Sequence, residues 1–285
     1  MNFKEFEKSL NERTFRDYYK KLKLLAKSVY KWNNLPNGID ERWIEEFLFS
    51  EGKCMFFMDK KFGLMVAKCV ETGVNPYDEP TDLMPVSSSP EVEKRDYSNY
   101  DEAILIRNND DMLPTSTSVM LYAYRLTDLT RTIDINISAQ KTPVLILCKE
   151  KQKLTLKNIY KQWNGFEPVI YGDKEVDLSG VKVLKTDAPI VFDKLQIEKN
   201  HIWNECMTFL GINNANMDKR ERLVDDEVQA NNEQVEMFAL MGLKARQRAC
   251  ELINAKFGTN ISVEFREAEN EDMSFSEGSQ EEGEQ

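Results

Sequence analysis

His201 is the sole imidazole of the chain, so no histidine pair can hold a metal and a nucleophile would have only one such base to draw on. It stands beside Ile202 and Trp203 in a segment with helical spacing, where a packed or half-exposed structural side chain accounts for it better than a catalytic one. Carboxylates are abundant, 49 Asp and Glu in all, and adjacent pairs occur at Asp110-Asp111 and Asp225-Asp226. Neither pair is accompanied by the further ligands of a two-metal site, and solvated faces or turn chemistry explain both. Cys54, Cys69, Cys148, Cys206 and Cys250 lie 15, 79, 58 and 44 positions apart. That odd, scattered set lacks the two-residue gap of zinc and redox motifs and suits reduced thiols in a core. The phosphate loop G-x-x-x-x-G-K-[ST], the dinucleotide fingerprint G-x-G-x-x-G, H-E-x-x-H and G-x-S-x-G are all missing. No catalytic residue, metal site or cofactor is assigned, and the expectation is a protein that is not an enzyme.

Charge is the next resource, and it is unevenly placed. The 285 residues carry 38 bases against the 49 acids, a net of −11, which by itself argues against a nucleic-acid partner. Yet Thr14–Trp32 holds Arg16, Lys20, Lys21, Lys23, Lys27 and Lys31 against Asp17 alone. The plainer reading of this stretch is a helix with a solvated lysine face and a buried aromatic face. Glu267–Gln285 has eight acids and no base, with Ser and Gly between them, and is expected to be a disordered, solubilising tail. The longest uncharged stretch, Met112–Tyr124, has 13 residues, too few for a membrane span, which takes about 20. Met1–Glu5 has no apolar core before a cleavage site, so synthesis in a cytoplasm is expected.

The elements that would position these groups follow from periodicity and punctuation. Hydrophobics make up 41% of the chain, enough for a sizeable core in one or two domains. Phe15, Tyr18, Leu22 and Val29 recur at helical steps and predict a helix stopping near Asn33, before Pro36 and Gly38. Cys54–Met58 and Leu64–Val70 read as strands, and the proline-rich stretch from Gly73 to Pro90 as loop. Pro114-Thr115-Ser116 opens a helix that runs to about Lys141, where Pro143 stops it. Val144–Cys148, Pro168–Tyr171 and Val181–Lys185 are strand candidates, and Leu156–Trp163 is a short helix. Asp187-Ala188-Pro189 starts a helix closed by Gly211. Asn213–Asn232 is polar and reads as a long loop. A last helix has Val235, Phe238, Met241, Ala245, Ala249, Leu252 and Phe257 on one stripe and ends at Gly258, before a strand at Ile261–Phe265. The fold class is α+β, mainly α.

Several segments resemble the portal proteins (head–tail connectors, or upper collar proteins) of small short-tailed double-stranded DNA bacteriophages. They are Trp32-Asn33-Asn34-Leu35-Pro36, Asn108-Asn109-Asp110 leading to Pro114-Thr115, Ala139 to Ile146, Lys185-Thr186-Asp187-Ala188-Pro189, and a longer run from Asp193-Lys194-Leu195 through Trp203-Asn204-Glu205 and Met207–Ile212 to Asn216. Their order and spacing are kept from Trp32 to Phe265, and none is a generic motif.

The resemblance implies a ring of identical subunits, twelve in that family, at the capsid vertex where DNA enters and leaves. Residues 114–142 and 187–211, together with the basic first helix within residues 1–32, would form the stem lining the channel, 143–186 a small strand-containing clip, and 33–113 with 233–266 an α/β wing and crown. Lys185 and Lys194 match the family's channel lysines, and residues 212–232, with Asn214, Lys219, Arg220, Arg222 and Asn231, match its channel loop. Implied partners are other copies of the chain, double-stranded DNA, capsid and scaffolding proteins, a packaging ATPase and a lower collar or tail protein, all in a virion. An acidic wall with sparse lysine rings would pass DNA without gripping it, which reconciles the net charge with a DNA role. The likeness stops at Met1–Arg13, where three bases meet three acids; that arm is not expected to bind a packaging RNA. Two other readings remain: a carboxylate–metal nuclease, tested at Asp110 or Asp225, and an oligomeric tail or scaffold component without a channel.

Overall fold

The computed structural model describes residues 3–140, 144–146, 181–183, 189–213 and 225–266. Within them the chain forms two compact units, one of Met1–Tyr18 with Tyr122–Trp203 and one of Tyr19–Leu121 with Asn204–Gln285. No helix of the described residues is long and apolar enough to cross a membrane.

The second unit is built on a five-stranded antiparallel sheet. Its strands are β2 (Lys53–Asp59), β3 (Gly63–Val74), β4 (Pro80–Val86), β5 (Tyr97–Ser98) and β6 (Ala103–Arg107), in the order β5-β4-β3-β2-β6. The interior strand β2, between β3 and β6, is buried on both faces, which is why its sequence runs apolar without alternation. Cys54 and Phe56 face one core, with Ile44, Leu48, Leu243 and Ile253, while Met55 and Phe57 face the other, with Leu83, Val92, Tyr97 and Leu105. Asp59 closes the β2–β3 hairpin by accepting N–H groups from Lys61, Phe62 and Glu93 at 2.8, 3.0 and 3.1 Å. Burial alone would raise its carboxyl; those three donors outweigh it and hold the group below the ordinary aspartate range.

The strand β4 falls inside the stretch expected to be loop. Pro80 and Pro85 stand in it, but its outer side pairs only through Asp82 and Leu83 with β5, so the missing donors are tolerated as on an edge strand. A second correction concerns the basic helix. Here α1 spans Phe3–Lys27, so the described residues of the expected arm, Phe3 to Arg13, are continuous with the helix, which stops well before Asn33. Ser28 turns back on the Leu25 carbonyl, and Tyr30–Asn33 forms β1, paired antiparallel with β9 (Ser262–Phe265) in the register Tyr30↔Phe265 and Trp32↔Val263. Tyr30 and Trp32 are buried with Lys31 between them; the period is two there, and the partner that sets it comes from the far end of the sequence.

Between β1 and β2 lies α2 (Glu41–Glu51), capped at its start by Asp40, whose side chain accepts from Arg42 N at 2.8 Å. It ends at Gly52 in the left-handed conformation, φ 78°, with the Gly52 N–H on the Leu48 carbonyl. Helix α3 (Thr115–Ala139) matches the expected span. The short strands β7 (Val144–Ile146) and β8 (Val181–Val183) pair antiparallel, Val144↔Val183 and Ile146↔Val181, as the two flanking strand candidates anticipate; Leu156–Trp163 and Pro168–Tyr171 lie outside the described residues. Helix α4 (Phe192–Phe209) starts three residues after Pro189, because Asn136 holds the Pro189 carbonyl and the Val191 N–H in a non-helical stretch. It ends as expected at Gly211, φ 72°, where Gly211 N–H reaches Thr208 O and Ile212 N–H reaches Met207 O.

The last helix, α5, runs Asp225–Phe257. It therefore takes in the second part of the interval read as a polar loop. Its buried stripe also differs from the expected one. Val235, Ala245 and Ala249 of the expected stripe are buried, together with Ala239, Leu243, Arg246, Cys250 and Ile253, while Phe238, Met241 and Leu252 are exposed. Cys54, Cys69, Cys206 and Cys250 are free and buried, and burial pushes their thiols up, to about 12 for Cys69, Cys206 and Cys250.

Gly52 couples α2 to the loop before α3. A Cβ there would collide with the Met112 carbonyl, and φ is positive, so neither backbone nor space admits a side chain. Gly52→Ala should lower the unfolding free energy by about 2 kcal/mol or more, read as a fall in the urea midpoint with unchanged slope.

Candidate functional site

In the first unit the helices are joined by polar contacts. The Tyr18 hydroxyl of α1 meets Thr130 Oγ1 of α3 at 2.9 Å, Arg131 Nε donates to Asn11 Oδ1 at 2.8 Å, and Lys199 of α4 lies over the Tyr18 ring. With the N-terminal end of α4 tied to α3 through Asn136, the helix presents Lys194, Ile197, Glu198 and His201 outward. Lys194 and His201 are seven residues apart, so about two turns separate them on one face. Of the expected channel residues, Lys194 is thus an exposed cation on a tethered helix. Lys185, Asn214, Lys219, Arg220 and Arg222 lie outside the described residues, as does the acidic tail; Asn231 falls on α5. His201 is exposed, not packed.

The basic stretch of α1 divides. Lys23 and Lys27 converge on Glu46 of α2 at 2.6 and 2.7 Å, and Lys23 also sits over the Phe49 ring. Burial would raise the Glu46 carboxyl, yet the two ammonium groups hold it below the usual glutamate range. These two lysines serve the fold. Asp110, a candidate in the nuclease reading, pairs with Arg248 at 2.7 Å. Among the described residues no three His, Cys, Asp or Glu side chains gather into a metal-holding group.

The densest polar constellation was not anticipated. Arg246, only 2% exposed, extends from α5 into the core of the second unit and donates to both Glu45 oxygens, Nε to Oε1 at 2.9 Å and Nη2 to Oε2 at 2.8 Å. Nη1 reaches the carbonyls of Gly242 and Asn108 at 3.0 and 3.2 Å, and Nη2 also reaches Asn108 Oδ1 at 3.1 Å. The Trp32 indole N–H donates to Glu45 Oε1 at 2.8 Å, the Tyr30 ring lies 4.1 Å from the guanidinium, and the Tyr30 hydroxyl donates to Ala239 O at 3.0 Å. Burial would lower the Arg246 guanidinium, but Glu45 beside it reverses the direction and raises it; burial raises the Tyr30 hydroxyl against the pull of Arg246. Every donor is engaged, so the pair has no proton or charge to offer a substrate. The signal available in sequence was a charged residue inside an apolar helical stripe, and Asn108 within the Asn108-Asn109-Asp110 run. A cavity of about 370 Å³ adjoins the pair, lined by Phe209, Phe238, Met241 and Leu113 around Glu45 and Arg246.

The described residues form a fold of mixed helix and strand. Residues 1–269 match the model of the Phage Connector (GP10) family. The chain belongs to the phage connector family, and so to the structural portal proteins of the phage head–tail junction. The solved structure described as the portal and tail of native bacteriophage P68 has a chain that is similar in fold: 13% identity, a TM-score of 0.56, and coverage of 96% of this chain and 94% of that one. Chains from the virion of a native gene transfer agent particle (10% identity, TM-score 0.47, 90% and 83% covered) and from its neck computed with C12 symmetry (10%, 0.45, 88% and 79%) are more distant.

Removing one member of the buried pair strands the other. Arg246→Met should cost about 3–5 kcal/mol, whereas Arg246→Met with Glu45→Met together should cost less than the single change. The recovery stays partial, because Asn108 and the Trp32 indole lose their partners. Chemical denaturation of the two variants and of Glu45→Met closes the double-mutant cycle that measures this.

Proposed function

We propose that copies of this connector close into a ring, of twelve as the resemblance to the portal proteins implies, and that the ring is the conduit for double-stranded DNA into and out of the capsid. The observation that carries the reading is the apolar surface left on the helices. Met120, Leu121, Tyr124, Ile135 and Ile137 of α3 and Ile197 of α4 are exposed, Tyr124, Ile135 and Ile197 at 65%, 65% and 67%. A chain of this charge has polar residues enough to cover such positions if water were their permanent neighbour; a neighbouring copy is what removes them from it. Lys194 then repeats once per subunit and, with Lys185, forms sparse rings of positive charge on an otherwise acidic assembly. Contacts of that kind are weak and salt-sensitive, as sliding DNA requires.

In the same reading the ring nucleates capsid assembly with scaffolding and capsid proteins, docks the packaging ATPase on the clip at residues 143–186, and later holds a lower collar or tail protein. It has no enzymatic role of its own. The valve attributed to the channel loop is confined to residues 214–224, since α5 begins at Asp225.

Negative-stain images of the purified protein should show closed rings with a hole that admits a duplex; material that stays monomeric at high concentration would sink the reading. Tyr124→Asp with Ile197→Asp should give monomers of unchanged helicity, by sedimentation and circular dichroism. Deleting residues 214–224 should leave the rings intact and let packaged DNA slip back, seen as loss of filled heads; unchanged genome retention would remove the valve.

A further inference from the structure

We propose that the acidic segment following β9, Glu267–Asp272 foremost, docks on the outward face of α1 around Lys20 and Leu24 of its own subunit. The point of departure is fixed by Arg266. Its N–H donates to Val29 O at 2.9 Å, Nε to Ser28 O at 3.2 Å, and Nη2 to Tyr30 O at 3.2 Å and to Glu41 Oε1 at 2.6 Å. The chain therefore leaves β9 beside Ser28, the residue that follows α1.

From that point a line of exposed positions runs back along the helix at four-residue steps: Ser28, Leu24, Lys20. Leu22, on the opposite side of the helix, is fully buried, and one flank of the line is taken by Lys23 and Lys27, both held by Glu46. Leu24, by contrast, is a large apolar side chain 69% exposed between cationic positions, with Lys21 also exposed next to Lys20. The eight residues from Lys20 to Ser28 rise about 12 Å, and six extended residues span up to about 20 Å, so Glu267–Asp272 reaches Lys20 comfortably. Four of those six residues are acids and none is basic. A covalently attached acidic strand is held at high effective concentration, and it outcompetes free phosphate backbone for this face at low and moderate salt. The face is thereby withdrawn from nucleic acid, whether or not copies close a ring.

Carbodiimide cross-linking of the full chain, with peptides identified by mass spectrometry, should join Glu267, Glu269, Glu271 or Asp272 to Lys20 or Lys21, and high salt should abolish the products. Mixing isotopically light and heavy protein should show the links within one copy. In parallel, truncation after Arg266 should raise the affinity for a short DNA duplex about tenfold at low salt, and Lys20→Gln with Lys21→Gln should remove most of that gain. Cross-links to lysines elsewhere, links only between copies, or a gain that survives the two lysine changes would overturn the proposal.

Discussion

A buried guanidinium imposes more order on this protein than any other single group. Taking Arg246 out of water is costly unless its charge is met and each N–H finds an acceptor. Only one arrangement of the second unit does so: Glu45 supplies the charge from α2, Asn108 two acceptors from the stretch after β6, and Gly242 a carbonyl from α5 itself. Trp32 and Tyr30 of β1 close the remaining sides. Hydrophobic burial would accept many near-equivalent packings of a helix on this sheet; the polar node accepts one. Losing one member of such a pair strands the other charge and is costly, while replacing both by well-packed apolar groups costs far less.

That constraint bears on the connector's task. Interface positions on neighbouring copies must repeat with little variation for a ring to close, so each subunit has to be well defined before it meets the next. The ion pairs Lys23–Glu46 and Lys27–Glu46 and the Gly52 turn against Met112 add to the same end, joining α1, α2 and the start of α3 within the second unit. The polar ties among Asn11, Tyr18, Thr130, Asn136 and Val191 do so for the helices of the first. Charges that meet DNA in the proposed conduit are of the opposite kind. Lys194 stands in water on α4, where a cation is cheap to hold and its attraction is easily screened.

How much of this was legible depended on the range of the information. α3, the C-terminal close of α4 at Gly211 and the end of α5 at Gly258 were readable because caps, prolines and glycines act within a few residues. β2 was readable because an unbroken apolar run of strand length has few other uses. β1 was misread as the continuation of α1, since Val29, Tyr30 and Trp32 fit a helical step about as well as an alternating one until β9 arrives from the other end of the chain to pair with them. β4 was hidden by its prolines, which forbid a fully paired strand but not one whose outer side is mostly open. The α5 stripe is only partly legible: Val235, Ala245 and Ala249 are buried, but the helix also turns Arg246 inward, and Phe238, Met241 and Leu252 stay exposed.

The sequence by itself determined the mixed helical and stranded character, the lack of motif chemistry and, through non-generic runs kept in order along most of its length, the connector family. These rest on residue type and local spacing, which survive in one dimension. Tertiary structure decided that Lys23 and Lys27 of α1 meet on Glu46, that Asp110 answers Arg248, and that Arg246, Glu45 and Asn108, far apart in sequence, share one buried site. The physical reason is that charge pairing and burial are properties of distance in space, and a chain of 285 residues leaves too many pairings open until it has folded.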